Sequence, residues 1–146
     1  MTTPPLVELR DVRKSFDQNE VLRGVSLALR KSTTLAVMGG SGAGKTVLLR
    51  IVAGLVGPEV VFFDEPTAGL DPTNARLVAE LIAELRKGVC DTAIVVTHDV
   101  EFAEMVADQM AILHQGRIAE MGTPAAVRAS ANPDVRRFLA GELRET

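Results

Sequence analysis

Thr34-Leu35-Ala36-Val37-Met38-Gly39-Gly40-Ser41-Gly42-Ala43-Gly44-Lys45-Thr46 passes from a continuous apolar run into a glycine-rich segment that ends in Lys-Thr. Thr34–Met38 suits a parallel strand covered on both faces. The next eight residues satisfy G-x-x-x-x-G-K-[ST], placed after a strand and before a helical stretch, which is the context this pattern requires. Glycines let backbone N–H groups wrap a phosphate chain, and the helix amino terminus adds positive dipole. Lys45 would reach the β and γ phosphates, and the Thr46 hydroxyl would ligate magnesium. Gly39, Gly40, Ser41, Gly42, Ala43, Gly44, Lys45 and Thr46 are therefore candidate nucleotide contacts, with Thr46 also a candidate metal ligand. A plain glycine turn capping a helix does not need Lys-Thr at this offset.

Downstream, Val60-Val61-Phe62-Phe63-Asp64-Glu65 is a second apolar strand, ending in two carboxylates. One would stand beside the magnesium and the other beside the γ-phosphate, where it orients or deprotonates an attacking water. This makes Asp64 the metal-side residue and Glu65 the catalytic base. An acidic pair after a strand, taken alone, is a solvated loop start; the phosphate-binding segment upstream changes that reading. Val95-Val96-Thr97-His98-Asp99 places His98 at the carboxyl end of a third apolar run, the edge where such sheets hold ligands. His98 is a candidate γ-phosphate contact. His114 has no comparable context, and Cys90 and the methionines read as ordinary packing.

The rest of the chain supplies the frame. Its 146 residues, 47% of them hydrophobic, suit one domain over residues 1–146 with a real core. A net charge of −3 provides no global field toward nucleic acid or anionic lipid. No apolar run approaches the ~20 residues of a membrane span. With one cysteine and an opening segment that lacks the features of a signal peptide, a cytoplasmic chain is expected. Leu6–Leu9 and Val21–Leu29 alternate as strands of an antiparallel layer, and Ala93–Val96 is a further buried strand. Asp71 and Pro72 open an amphipathic helix whose apolar residues are Val78, Leu81, Ile82 and Leu85, closed by Gly88. A helix over Val100–Ala107, a hairpin over Met110–Glu120 turning at Gln115-Gly116, and short helices over Pro124–Ala129 and Pro133–Ala140 follow. The alternation of strand and helix predicts an α/β three-layer sandwich with a mostly parallel central sheet and an amino-terminal antiparallel β layer.

These motifs resemble those of the ATP-binding cassette (ABC) ATPases of transporters. Asp64-Glu65-Pro66-Thr67-Ala68-Gly69-Leu70-Asp71-Pro72 looks like the family's Walker B motif running into its D-loop, and Thr97-His98-Asp99 looks like its switch histidine. Val12-Arg13-Lys14-Ser15-Phe16 and Val21-Leu22-Arg23-Gly24-Val25-Ser26-Leu27 are similar to the family's amino-terminal segment, and Gly116 to Pro124 continues the match. The resemblance implies that Phe16 stacks on adenine and that Asp71 lies at the nucleotide. It also implies ATP and Mg2+ as cofactors, and ATP hydrolysis as the activity. The partners it implies are a second nucleotide-binding subunit and a membrane-spanning permease, with this chain peripheral to the inner face of the cell membrane. The tail Asn132-Pro133-Asp134-Val135-Arg136-Arg137-Phe138-Leu139-Ala140-Gly141 further resembles the phospholipid and organic-solvent-tolerance branch. A GTPase or small kinase is a weaker reading, because no Asn-Lys-x-Asp guanine motif occurs.

One departure stands out. In the family, a strand with the Q-loop glutamine and a helical subdomain ending in a Leu-Ser-Gly-Gly-Gln signature lie between the P-loop helix and Walker B. Here only Gly57, Pro58 and Glu59 separate an apparent helix over Gly44–Val56 from Val60, so 57–59 reads as a junction and the helical subdomain as absent. The helix, about 20 Å long at 1.5 Å per residue, still recrosses the sheet. The resemblance places the His98 strand between the P-loop and Walker B strands, and the missing strand farther out, so a sheet edge and apolar surface should be exposed. Without the signature, a non-hydrolysing Mg-ATP-binding module is the alternative to an active ATPase subunit.

Overall fold

The computed structural model describes residues 4–40, 42–88 and 91–141. Two strands, β1 (Val7–Phe16) and β2 (Asn19–Leu29), pair antiparallel in a sheet of their own. Strand β3 (Thr34–Met38) leads to helix α1 (Lys45–Ala53), and β4 (Val60–Asp64) to α2 (Pro72–Gly88). Then come β5 (Thr92–Thr97), α3 (Val100–Val106), β6 (Gln109–His114), β7 (Arg117–Gly122), α4 (Pro124–Arg128) and α5 (Pro133–Leu139). The second sheet has the order β4-β5-β3-β6-β7, parallel except for β7 against β6. The expected fold class and the central place of the His98 strand between β3 and β4 are both observed. Cys90 lies outside the described residues.

Continuous apolar runs become the strands that are covered on both faces. Every residue of β3 and of β5 is buried. One core layer joins Leu35, Val37, Ile94 and Val96 to Leu48 and Val52 of α1 and to Leu22, Val25 and Leu27 of β2. On the opposite face, Ala36, Met38, Met110 and Ile112 meet Ala103 of α3, Val127 of α4 and Val135 and Phe138 of α5. Burial on this scale is the principal favourable term in folding.

The helix α2 departs from its expected apolar stripe. Its buried residues are Ala75, Ala79 and Ile82, the last two packing with Val95 and Phe102, while Leu81 and Leu85 are exposed together with Leu77. Small alanines let the helix approach the sheet closely, and the larger leucines, four residues apart, fall on another side of the cylinder. On β4, the edge strand, Val60 is buried and Val61, Phe62 and Phe63 are only partly covered. The expected exposure of an edge and of apolar surface is thus present.

A polar knot at the amino ends of the parallel strands holds the sheet together. Asp108 accepts a hydrogen bond from the Thr34 backbone at 2.8 Å and pairs with Arg86 of α2 at 3.3 Å. Arg86 also donates to the Ser32 carbonyl at 3.0 Å. Among the described residues, the buried Thr34 hydroxyl oxygen has no hydrogen-bond partner.

Three outcomes follow for stability. Thr34→Val removes an unsatisfied buried hydroxyl and should leave the urea midpoint unchanged or raise stability by up to about 1 kcal/mol, whereas Asp108→Ala should cost about 1–2 kcal/mol by stranding its donors. A triple replacement of Leu77, Leu81 and Leu85 by Lys, Glu and Lys should change stability by no more than about 1.5 kcal/mol, about 0.5 for each surface position. The same replacement should suppress self-association measured by light scattering, because it removes an exposed apolar stripe.

Candidate nucleotide site

The site is built where β3, β4 and β5 end. Gly39 follows β3 and is buried so tightly that a Cβ there would stand 2.3 Å from the Leu113 carbonyl oxygen of β6. Gly42 and Gly44 adopt left-handed backbone, at φ 85° and 100°, which side chains rarely accept. Between them, Ala43 is buried and its N–H reaches the Gly40 carbonyl at 3.2 Å. Ser41 lies outside the described residues. Gly44 is the N-cap of α1 and supplies no capping side chain, so the first-turn N–H groups keep their capacity for an external acceptor.

Lys45, the first residue of α1, bends back over the loop. Its ammonium donates to the Gly39 carbonyl at 2.7 Å and lies 3.3 Å from Oε1 of Glu65. The side chain is only 10% exposed, so this charge acts in a partly desolvated setting. Thr46, next on the helix, and Asp64, the last residue of β4, are both exposed.

Glu65 ties the cluster together. Its backbone is left-handed at φ 46°, a strained conformation for this residue type, and its N–H donates to the Val96 carbonyl of β5 at 2.7 Å. The other carboxylate oxygen, Oε2, stands 3.0 Å from Nδ1 of His98 and accepts from the His98 backbone N–H at 3.4 Å. Burial by itself would push the Glu65 carboxyl up, but the His98 hydrogen bond and the Lys45 charge together outweigh it and hold the group below its ordinary value. Glu65 is an ionised acceptor between a lysine and a histidine.

The remaining candidates stand apart from this triad. Phe16 ends β1 on the two-stranded sheet, half exposed, with the Lys14 ammonium 5.2 Å from its ring centroid. Asp71 accepts a hydrogen bond from the Asn74 N–H at 2.8 Å, so the structure gives it a capping task on α2. The ring of His114 sits 3.8 Å from Asp134.

Two residues not singled out from the sequence also shape the site. Asp99 caps α3 by accepting from the Phe102 N–H at 3.1 Å, and its second oxygen accepts from the buried Thr67 hydroxyl at 3.4 Å. This joins the turn after β4 to the turn after β5. The sequence signal was an aspartate three residues before a core phenylalanine, the N-cap pattern.

Comparisons with known proteins bear on the family of the chain. The family described as ABC transporter matches residues 22–60, from within β2 through the phosphate loop and α1 to the first residue of β4. The arginine/ornithine transport ATP-binding protein AotP of Pseudomonas aeruginosa is 38% identical over 130 residues, covering 84% of this chain and 48% of that protein. The intermembrane phospholipid transport system ATP-binding protein MlaF of Escherichia coli K12 is 36% identical over 104 residues, 71% of this chain and 38% of that protein. The chain therefore spans about half, or less, of the length of these relatives. Among solved structures, cbiO1 of Clostridium perfringens, part of an ABC transporter complex, superposes with a TM-score of 0.77 at 15% identity, over 94% of this chain and 96% of that one, a likeness of fold. With these matches and the ordered motifs that its parallel strands bring to one edge, the chain belongs to the ABC transporter ATP-binding family.

Proposed function

We propose that this chain binds Mg-ATP as one half of a nucleotide site of an ABC transporter, and that its family activity is ATP hydrolysis. The observation that carries this is the meeting of Lys45, Glu65 and His98, from three different elements, beside an uncapped helix amino terminus. The loop fits a phosphate chain. Gly42 and Gly44 take left-handed φ values that a side chain would strain, and Gly39 leaves no room for a side chain against β6. The donor set fits magnesium as well, since this ion typically takes one or two protein oxygens and completes its shell with phosphate and water. Thr46 and Asp64 would hold it, and it would neutralise phosphate charge there.

In this reading Lys45 holds the terminal phosphates, His98 contacts the γ-phosphate, and Glu65 serves as the base for the attacking water. Ionised Glu65 is suited to accept a proton. Phe16 would stack on the base, and Asp71 would lie near the nucleotide from the turn after β4. Both assignments come from the resemblance. The short passage from α1 to β4, through 54–59, leaves no place for a signature segment. Covering donors for the γ-phosphate would then come from a second nucleotide-binding subunit, and coupling to a membrane from a permease. The relatives' names span arginine/ornithine and phospholipid cargoes. The tail over 132–141 favours phospholipid. The same short passage supports the second reading, a module that binds Mg-ATP without turnover.

Titration with labelled ATP tests the first part. Wild type should bind Mg-ATP, and Lys45→Ala should weaken binding by about 2–3 kcal/mol, tens of fold to a hundredfold or more, by removing a charge-assisted contact. Equal binding by the two proteins would remove the assignment. Steady-state phosphate release by the chain alone should stay near background, because preorganised charge on all sides of the γ-phosphate supplies most of the rate. Robust turnover abolished by Glu65→Gln would instead show a complete site. Mixed with an intact subunit, a verified heterodimer should hydrolyse ATP in a manner sensitive to Glu65→Gln in this chain.

A further inference from the structure

We infer that a second copy of this chain docks along β4, through a two-fold axis at Phe62 that joins the two five-stranded sheets edge to edge and seats α2 against its own symmetry mate. The inference goes beyond the nucleotide reading and does not depend on it. β4 ends the order β4-β5-β3-β6-β7, so one of its edges faces no strand of the sheet. The Glu65 N–H goes to Val96 of β5 at 2.7 Å. Because backbone groups alternate along a strand, Val61 and Phe63 also address β5, whereas Phe62 and Asp64 turn N–H and C=O to the free edge. That edge is unguarded. From Val60 to Asp64 the pairing with β5 runs without a bulge and no lysine or proline interrupts it, while β7, at the other end of the sheet, carries Arg117 and Glu120 and a register shift against β6.

Symmetry and the pleat choose the pairing. Residues directly opposite in an antiparallel pair share a face, so a two-fold axis perpendicular to the sheet sets Phe62 against Phe62 and Val61 against Phe63. The outward groups of Phe62 are then exchanged, and Asp64 of one copy meets Val60 of the other. The helix layer matches this. Ala79 and Ile82 pack with Val95, which stands opposite Phe63 in the β4–β5 register, so the axis passes the middle of α2, near Leu81. Arg86 reaches inward to Ser32 and Asp108, and on a right-handed helix descending over the sheet the side bearing Asn74, Val78, Leu81 and Leu85 therefore faces out past β4. These four are spaced by four, three and four residues, the seam of a helix pair, and none is charged; Arg76, Glu80, Glu84 and Lys87 fall elsewhere on the cylinder. A face that meets its own copy must not repel itself, and this one carries nothing that would. Two copies of α2, each over β4 and β5, would stand about 10 Å apart, two strand spacings, which is helix-packing distance. The layers of α2, sheet and α1, about 10 Å apart along about 17 Å of strand, give a projected face of roughly 500 Å2 before side-chain relief, the right order for the ~800 Å2 of accessible surface that each partner of a standard dimer buries.

In this pair the two phosphate loops lie at opposite ends of the joined sheet, so association should not require nucleotide. Sedimentation velocity of the chain without ATP, over micromolar concentrations, should show twice the chain mass and nothing larger. Leu81 is 63% exposed, so Leu81→Lys and Leu81→Glu should each fold normally and each run as a monomer, because like charges meet at the axis. Mixed together, the two variants should restore a dimer containing one of each. Amide exchange needs no variant: on dilution of wild type, the outward Phe62 N–H should exchange about tenfold faster or more, while the Phe63 N–H, bonded to β5, should keep its protection. A wild-type monomer throughout that range overturns the inference, as do assemblies that grow past the dimer. A dimer that forms only with Mg-ATP, or one that both Leu81 variants retain, places the contact elsewhere and overturns it too.

Discussion

Thr34–Met38 pairs along both edges, with Ala93 to Thr97 on one side and Gln109 to Ile112 on the other, and buries all five side chains. A strand so enclosed can make a turn only where it leaves the sheet, and at that point the Leu113 carbonyl crowds the next residue. Glycine at 39 is the response. The chain then rises over the sheet edge, Lys45 folds back to the Gly39 carbonyl, and β5, beside β3, and β4, one strand farther out, deliver His98 and Glu65 to the same edge. The chemistry is local, but its address is set by strand order.

The strength of the triad comes from sharing. One carboxylate serves a lysine through one oxygen and a histidine through the other, and burial makes each contact count for more than it would in water. The strained backbone at Glu65 persists because its N–H is fastened to Val96, and because Thr67 fastens the rest of the turn to Asp99. A charged residue is thereby held rigid at a position where loops are usually soft.

Much of this was legible in the sequence because each signal had one physical solution. Uninterrupted apolar runs became β3, β4 and β5, and Gln115-Gly116 became the β6–β7 turn, with both residues at positive φ. The glycine pattern with Lys45 and the acids ending β4 located the site. The α2 face was misjudged because hydrophobic periodicity rewards large side chains, while the surface facing the sheet had to be small: Ala75 and Ala79 are buried and Leu81 and Leu85 are not. The extent of β1 was also underestimated. Its alternation fails after Leu9, yet bulged pairing carries the strand on to Phe16. The Lys45–Glu65–His98 bridge could not be read at all, since it depends on rotamers across three elements.

Strand order also has a consequence for the chain as it leaves the ribosome. The centre of the sheet is made early, but both of its neighbours are made late: β3 ends at Met38, β5 begins at Thr92, and β6 ends at His114. Only the hairpins β1–β2 and β6–β7 can close on residues nearby in the sequence. The backbone bond from the Arg23 N–H to the Gly116 carbonyl, at 2.7 Å, links these two hairpins and needs the chain as far as Gly116. Until then the apolar strand Thr34–Met38 has no lateral partner, and its glycine loop has nothing to lean on. Such non-local pairing is slow and leaves nascent chains open to misassociation. The geometry that concentrates function at one edge of the sheet thus postpones it until β5 and β6 have been made.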